Sequence, residues 1–123
     1  MERNEYGGLE PWLMVSIQGS DGAFHQCRVI LDTGFTGALT LPETVIRELG
    51  LISEGRRSVI TARGESEGFE FFTGWVSWHG ILTEVGVFQS IDQPLLGMEL
   101  LEGCHVALDA RDGGEVVIDE RAL

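Results

Sequence analysis

Seventeen glycines are spread along the whole 123-residue chain against only three prolines, and the segments between them are short apolar runs rather than long helical periodicities. Glycine and small polar residues at such intervals join short strands through tight turns. The chain therefore reads as mainly β, with one or two short helices. Trp12 to Gln18 alternates, with Trp12, Met14, Ser16 and Gln18 on one face and Leu13, Val15 and Ile17 on the other, as a strand requires. Gly19, Ser20, Asp21 and Gly22 supply a turn, and Phe24 to Leu31 resumes as the second strand of a hairpin.

After the apolar run Ala38 to Leu41, the stretch from Pro42 to Gly50 predicts two turns of helix. Proline suits the first helical position, Val45, Ile46 and Leu49 share a face, and Gly50 is placed to end the helix left-handed. Val59 to Thr61 and Gly68 to Trp78 read as strands around a polar, Gly-bearing connection, Ala62 to Ser66. Ile81 to Gln89 is a further strand, Met98 to Glu102 a short helix closed by Gly103, and His105 to Leu108 and Val116 to Ile118 are strands around the turn Arg111-Asp112-Gly113-Gly114. Phe69, Phe71 and Trp75 lie on one face of Gly68 to Trp78, and Phe72, Val76 and Trp78 on the other. An apolar run on both faces implies burial on both sides and an interior strand, with a flap or an interface as the alternatives. No internal repeat or linker divides the chain, so it is expected to be one domain, 1–123, with a short N-terminal tail over 1–10.

Composition narrows the partners. Twenty acidic residues against eight arginines and no lysine give a formal charge of −12. Such a surface repels a phosphate backbone, so no nucleic-acid partner is expected. No stretch approaches the ~20 apolar residues of a membrane helix, and Met1 to Gly8 carries two glutamates before any apolar run, unlike a secretory signal. No membrane partner and a cytoplasmic location are expected. Cys27 and Cys104 fit a reduced setting better than a disulfide scaffold.

The segment that carries chemistry is Val29-Ile30-Leu31-Asp32-Thr33-Gly34. An Asp at the end of a buried strand faces a site rather than bulk water, a Thr hydroxyl can donate and accept hydrogen bonds that lock a loop, and Gly lets another backbone approach closely. Alone, Asp-Thr-Gly is also ordinary turn chemistry. Downstream, however, Gln93-Pro94-Leu95-Leu96-Gly97 opens the second short helix. With these two motifs in this order, and a candidate flap around Arg63 to Ser66 between them, the sequence resembles the retropepsin-like aspartic proteases. That family includes retroviral proteases and small single-domain prokaryotic proteins described as predicted aspartyl proteases. Leu31 to Gly37 followed by Leu39-Thr40-Leu41-Pro42 looks especially like the prokaryotic subgroup, and the resemblance spans about Trp12 to Asp109.

The resemblance implies a retropepsin-like half-barrel with a flap hairpin, and an aspartic endopeptidase that needs no cofactor and no metal. Asp32 would be the catalytic carboxylate, Thr33 the residue tying two active-site loops together, and Gly34 the point of close approach to the substrate backbone. Arg63, Gly64 and Glu65 would cover a peptide or protein substrate, and Leu95, Leu96 and Gly97 would form the structural second motif. Phe35 departs from the small Ala or Ser usual in the family; a phenyl ring there either fills a substrate subsite or limits hydrogen bonding to Asp32. The chemistry needs two carboxylates that share a proton, one activating water and the other assisting the substrate carbonyl. Asp21-Gly22-Ala23 and Asp112-Gly113-Gly114 lack the hydroxyl residue, so one motif per chain implies a homodimer.

Other constellations carry less. His25 with Cys27, and Cys104 with His105, suggest a zinc site, but adjacent residues on a strand point to opposite faces and leave three ligands at best. Cys27 reads as a small buried hydrophobe and Arg56-Arg57 as solvated surface. Glu65, Glu67 and Glu70 read as the exposed side of a hairpin; bordering the cleft, they would favour basic or neutral substrates. The rival functional expectation is a non-catalytic protein-binding module with the same fold, in which Phe35 closes the pocket.

Overall fold

The computed structural model describes residues 1–60 and 63–120. The segment expected as a tail is folded into a small hairpin. β1 (Glu2–Arg3) pairs antiparallel with β2 (Leu9–Glu10), and the Asn4 Oδ1 accepts hydrogen bonds from the Tyr6 and Gly8 N–H groups to form the turn. β3 (Trp12–Gln18) and β4 (Phe24–Leu31) form the expected long hairpin, in register from Trp12 opposite Ile30 to Gln18 opposite Phe24. Asp21 shapes its turn. The Ala23 N–H and then the His25 side chain hold the Asp21 carboxyl below its ordinary range.

β5 (Leu39–Pro42) leads directly into α1 (Glu43–Leu49), which buries Ile46 and Leu49. Pro42 sits at the N-cap, one residue before the position expected for it, because its backbone is still extended (φ −64°, ψ 154°) and pairs with Ser90. Gly50 ends the helix at φ +66° as expected, and the Leu49 carbonyl accepts from the Ser20 N–H, tying the helix end to the first hairpin (2.8 Å). β6 (Ile52–Ile60) and β7 (Ser66–Trp78) form a projecting arm, and β8 (Ile81–Ser90) runs antiparallel to β7. Thr61 and Ala62, expected at the end of one strand and the start of the connection, lie outside the described residues. β9 (Leu95–Leu96) is followed by α2 (Met98–Leu101) and the hairpin of β10 (Cys104–Leu108) and β11 (Val116–Glu120). That last hairpin meets the N-terminus, where the Met1 ammonium donates to the Gly114 carbonyl (2.8 Å).

The main sheet runs β3-β4-β9-β5-β8-β7-β6 and curls until β3 also pairs with β7, through Ser16, Ile17 and Gln18 opposite Ser77, Val76 and Trp75. The result is a mainly β, curled architecture with two short helices, the class expected of a retropepsin-like fold. Val15, Ile17, Val29, Leu39, Leu41, Val76, Val87 and Leu96 are buried inside the curl, with Leu100 and Leu101 of α2 closing one end. β7 is an interior strand, but burial on both sides holds only in part. Val76 is fully buried, whereas Trp75 is 38% exposed because its neighbours across the ladder, Gln18 and Glu84, form a polar outer face. Among the described residues no helix is long and apolar enough to cross a membrane.

Candidate active site

Asp32 directly follows the last residue of β4. The strand's last residues, Ile30 and Leu31, run parallel to Leu95 and Leu96 of β9, while Leu96 also pairs antiparallel with Leu39 of β5. The two-residue strand thus fixes both ends of the Asp32 loop. Immediately past β4, the Asp32 N–H donates to the Leu96 carbonyl (2.9 Å). The Asp32 Oδ1 accepts from the Gly34 N–H (2.8 Å), and the Asp32 carbonyl accepts from the Phe35 N–H (3.2 Å), so the loop closes on itself as an Asx turn. Asp32 is half-buried, Thr33 and Gly34 are exposed, and the Thr33 hydroxyl makes no hydrogen bond among the described residues.

The loop is also held by α2. The N–H groups that open a helix have no partner within it; here Gly97, Met98 and Glu99 donate to the carbonyls of Ala38, Phe35 and Gly37 at 2.9, 2.8 and 3.2 Å. This close approach explains Gly97. A Cβ there would come within 2.5 Å of the Phe35 carbonyl oxygen and closer still to that of Gly37. Leu95, Leu96 and Gly97 therefore meet the Asp32 loop directly. Thr40 adds a link that the sequence gave no reason to expect: its hydroxyl donates to the Gln93 carbonyl (2.6 Å) and accepts from the Leu95 N–H (2.9 Å).

Phe35 lies over Gly37 and meets Phe88 of β8 edge-on, with centroids 6.3 Å apart. Phe88 in turn packs against Phe69 and Phe71 of β7. The ring lines a cleft of about 680 Å³ with Thr36 and Gly37 of the loop, Ser58 and Val59 of the arm, Phe88, and Met98, Glu99 and Glu102 at α2. Behind it is a smaller cavity of about 250 Å³ walled by Phe35, Val59, Phe69, Phe88 and Leu95. Phe35, Val59 and Phe88 line both cavities, and Asp32, Thr33 and Gly34 line neither. Arg63, Gly64 and Glu65 are at the exposed tip of the arm, with Gly64 at φ +77°; the arm residues that line the cleft are Ser58 and Val59. These two, with Phe88, Glu99 and Glu102, carry no local motif, and only the register of β6 and the position of α2 bring them to the loop.

Arg56 and Arg57 are exposed, as expected, and they also brace the arm. Arg56 pairs with Glu70 across the ladder (2.7 Å) and donates to the Gly68 carbonyl (2.9 Å), while the Arg57 guanidinium lies 4.9 Å from the centre of the Phe71 ring. Glu67 and Glu70 border a separate surface cavity with Arg56 rather than the cleft beside the loop. Cys27, on β4, is half-buried; burial, followed by the nearby Glu48, pushes its thiol pKa up. Cys104 meets His79 (3.5 Å) rather than His105. Among the described residues no three His, Cys, Asp or Glu are grouped to hold a metal ion.

No protein-family model matches the chain, and no curated protein matches it. Among solved structures it is similar to a foamy viral protease-reverse transcriptase, determined in complex with an RNA/DNA hybrid, with 17% identity and a TM-score of 0.49. The match covers 75% of this chain and 12% of that much longer one.

Proposed function

We propose that the chain is an aspartic endopeptidase that hydrolyses peptide bonds as a homodimer, with water activated between the Asp32 carboxyls of two chains. The observation that supports this reading most is how Asp32 is held. Its N–H bonds the second motif, its carboxylate accepts from Gly34, and the same loop forms one wall of an open cleft beneath the arm. A carboxylate on a loop fixed by backbone hydrogen bonds is preorganised for proton transfer. Each chain offers one such loop, and a two-fold axis beside it supplies the second. One carboxylate then takes a proton from the attacking water while the other donates to the substrate carbonyl. Thr33, exposed and unpartnered among the described residues, is left to tie the two loops together, and Gly34 to admit the substrate backbone. Arg63, Gly64 and Glu65 close over the bound peptide as the arm bends.

Asp32→Asn retains the hydrogen bond from Gly34 and so keeps the fold. It is expected to lower peptide cleavage at acidic to neutral pH by at least about 10²-fold. Cleavage that survives the substitution overturns the proposal. One observation favours a second reading, a non-catalytic protein-binding module: Phe35 and Phe88 build an aromatic wall in the cleft where a smaller residue would leave more room. The separation of the two Asp32 carboxyls in the assembled protein decides between them. Carboxyls that do not meet across a two-fold axis leave only the binding module.

A further inference from the structure

Resting on the endopeptidase reading, we infer that the cleft beside the Asp32 loop is two subsites that share Phe35, Val59 and Phe88, the larger taking a basic side chain of the peptide and the smaller an apolar one. The larger cavity has an apolar floor of Phe35, Val59 and Phe88, with Glu99 and Glu102 at its edge. Those glutamates are three residues apart on and just after α2, a spacing that puts them on one face. Both are exposed, and neither has a basic partner among the described residues, whereas Glu2, Glu43, Glu70 and Asp109 each pair with an arginine. No basic side chain lines the larger cavity. An aliphatic stem laid on aromatic rings, ending in a cation between two carboxylates, is how Lys and Arg side chains bury their length while keeping the head paired.

The smaller cavity shares Phe35, Val59 and Phe88 with the larger one, and Phe69 and Leu95 complete its apolar walls. Nothing charged lines it, so it suits a side chain of Leu or Ile size. In an extended peptide, side chains that point the same way are two positions apart. The fitting substrate therefore carries a basic and an apolar residue separated by one. The surplus charge of −12 adds long-range attraction for such a peptide.

The test uses full-length Asp32→Asn protein, which binds without cleaving, and labelled peptides with Arg or Gln at one position and Leu two positions away, in both orders. Fluorescence anisotropy is expected to give about tenfold tighter binding for the Arg peptide in one order. In the Glu99→Gln/Glu102→Gln variant that difference is lost, and in Glu99→Lys/Glu102→Lys a Glu peptide becomes preferred. Replacing the Leu by Ala weakens binding by about tenfold in every variant. Equal affinity for Arg and Gln peptides, a preference that survives both double variants, or no peptide binding at all overturns the inference. Cleavage of the same peptides by the unaltered protein is read separately. Binding with the stated preference but without cleavage sinks the endopeptidase reading and leaves the two subsites standing.

Discussion

At Gly97 the backbone is ordinary, φ −113°, yet a Cβ has nowhere to go between the Phe35 and Gly37 carbonyls. Gly34 contrasts with it. The nearest atom to a Cβ there is the Asp32 Oδ1 at 3.2 Å, the end of a side chain that can shift. Gly97→Ala is therefore expected to destabilise the protein by about 1–3 kcal/mol, and Gly34→Ala by less, as urea denaturation will measure. A Gly34→Ala that loses activity at nearly full stability marks a glycine whose open space is needed to keep the Asp32 carboxyl in place. The Asp32 loop stood out in the sequence because its chemistry is local, an Asx turn, whereas Leu95 to Gly97 stood out only through the resemblance, since the contact that requires Gly97 is with residues about sixty positions away. Thr40, Ser58 and Glu99 did not stand out, since they reach the site only through strand register and the placing of α2.

At the scale of elements, the arm departs most from the pattern of apolar residues. β6 was expected to start at Val59, but it starts at Ile52. Ser53, Glu54, Arg56, Arg57 and Ser58 bury nothing, so periodicity is silent there; the strand is held by its backbone ladder to β7 and by arginines on neighbouring side chains. β9 was equally hidden, because two residues are too few to show alternation. β3 was legible because it alternates over seven residues, and β4 and β8 were legible as apolar runs that follow glycine-bearing turns. An arm held so lightly should respond to single side chains. Arg57→Ala, which removes the cation from the Phe71 ring, is expected to cost about 0.5–1 kcal/mol. Hydrogen exchange should then quicken in β6 and the first half of β7, with the β3–β4 ladder unchanged.

For the whole molecule, the formal charge of −12 sets a condition on self-association. Two such chains repel, and screening by salt weakens that repulsion. If the protein works as a homodimer, light scattering should find the dimer favoured by added salt and by lower pH, where carboxylates gain protons, and weakened as pH rises. A monomer at micromolar concentration and above removes the dimeric enzyme altogether. The curl of the sheet has a consequence of its own. Its closing pairs, Ser16–Gln18 with Trp75–Ser77, join positions roughly sixty residues apart, and the entropy of drawing so long a chain segment together must be met before that ladder returns any enthalpy. The first hairpin can form in microseconds, but the Asp32 loop is fixed by β9 and the start of α2, so a ribosome must release most of the chain before the site can exist.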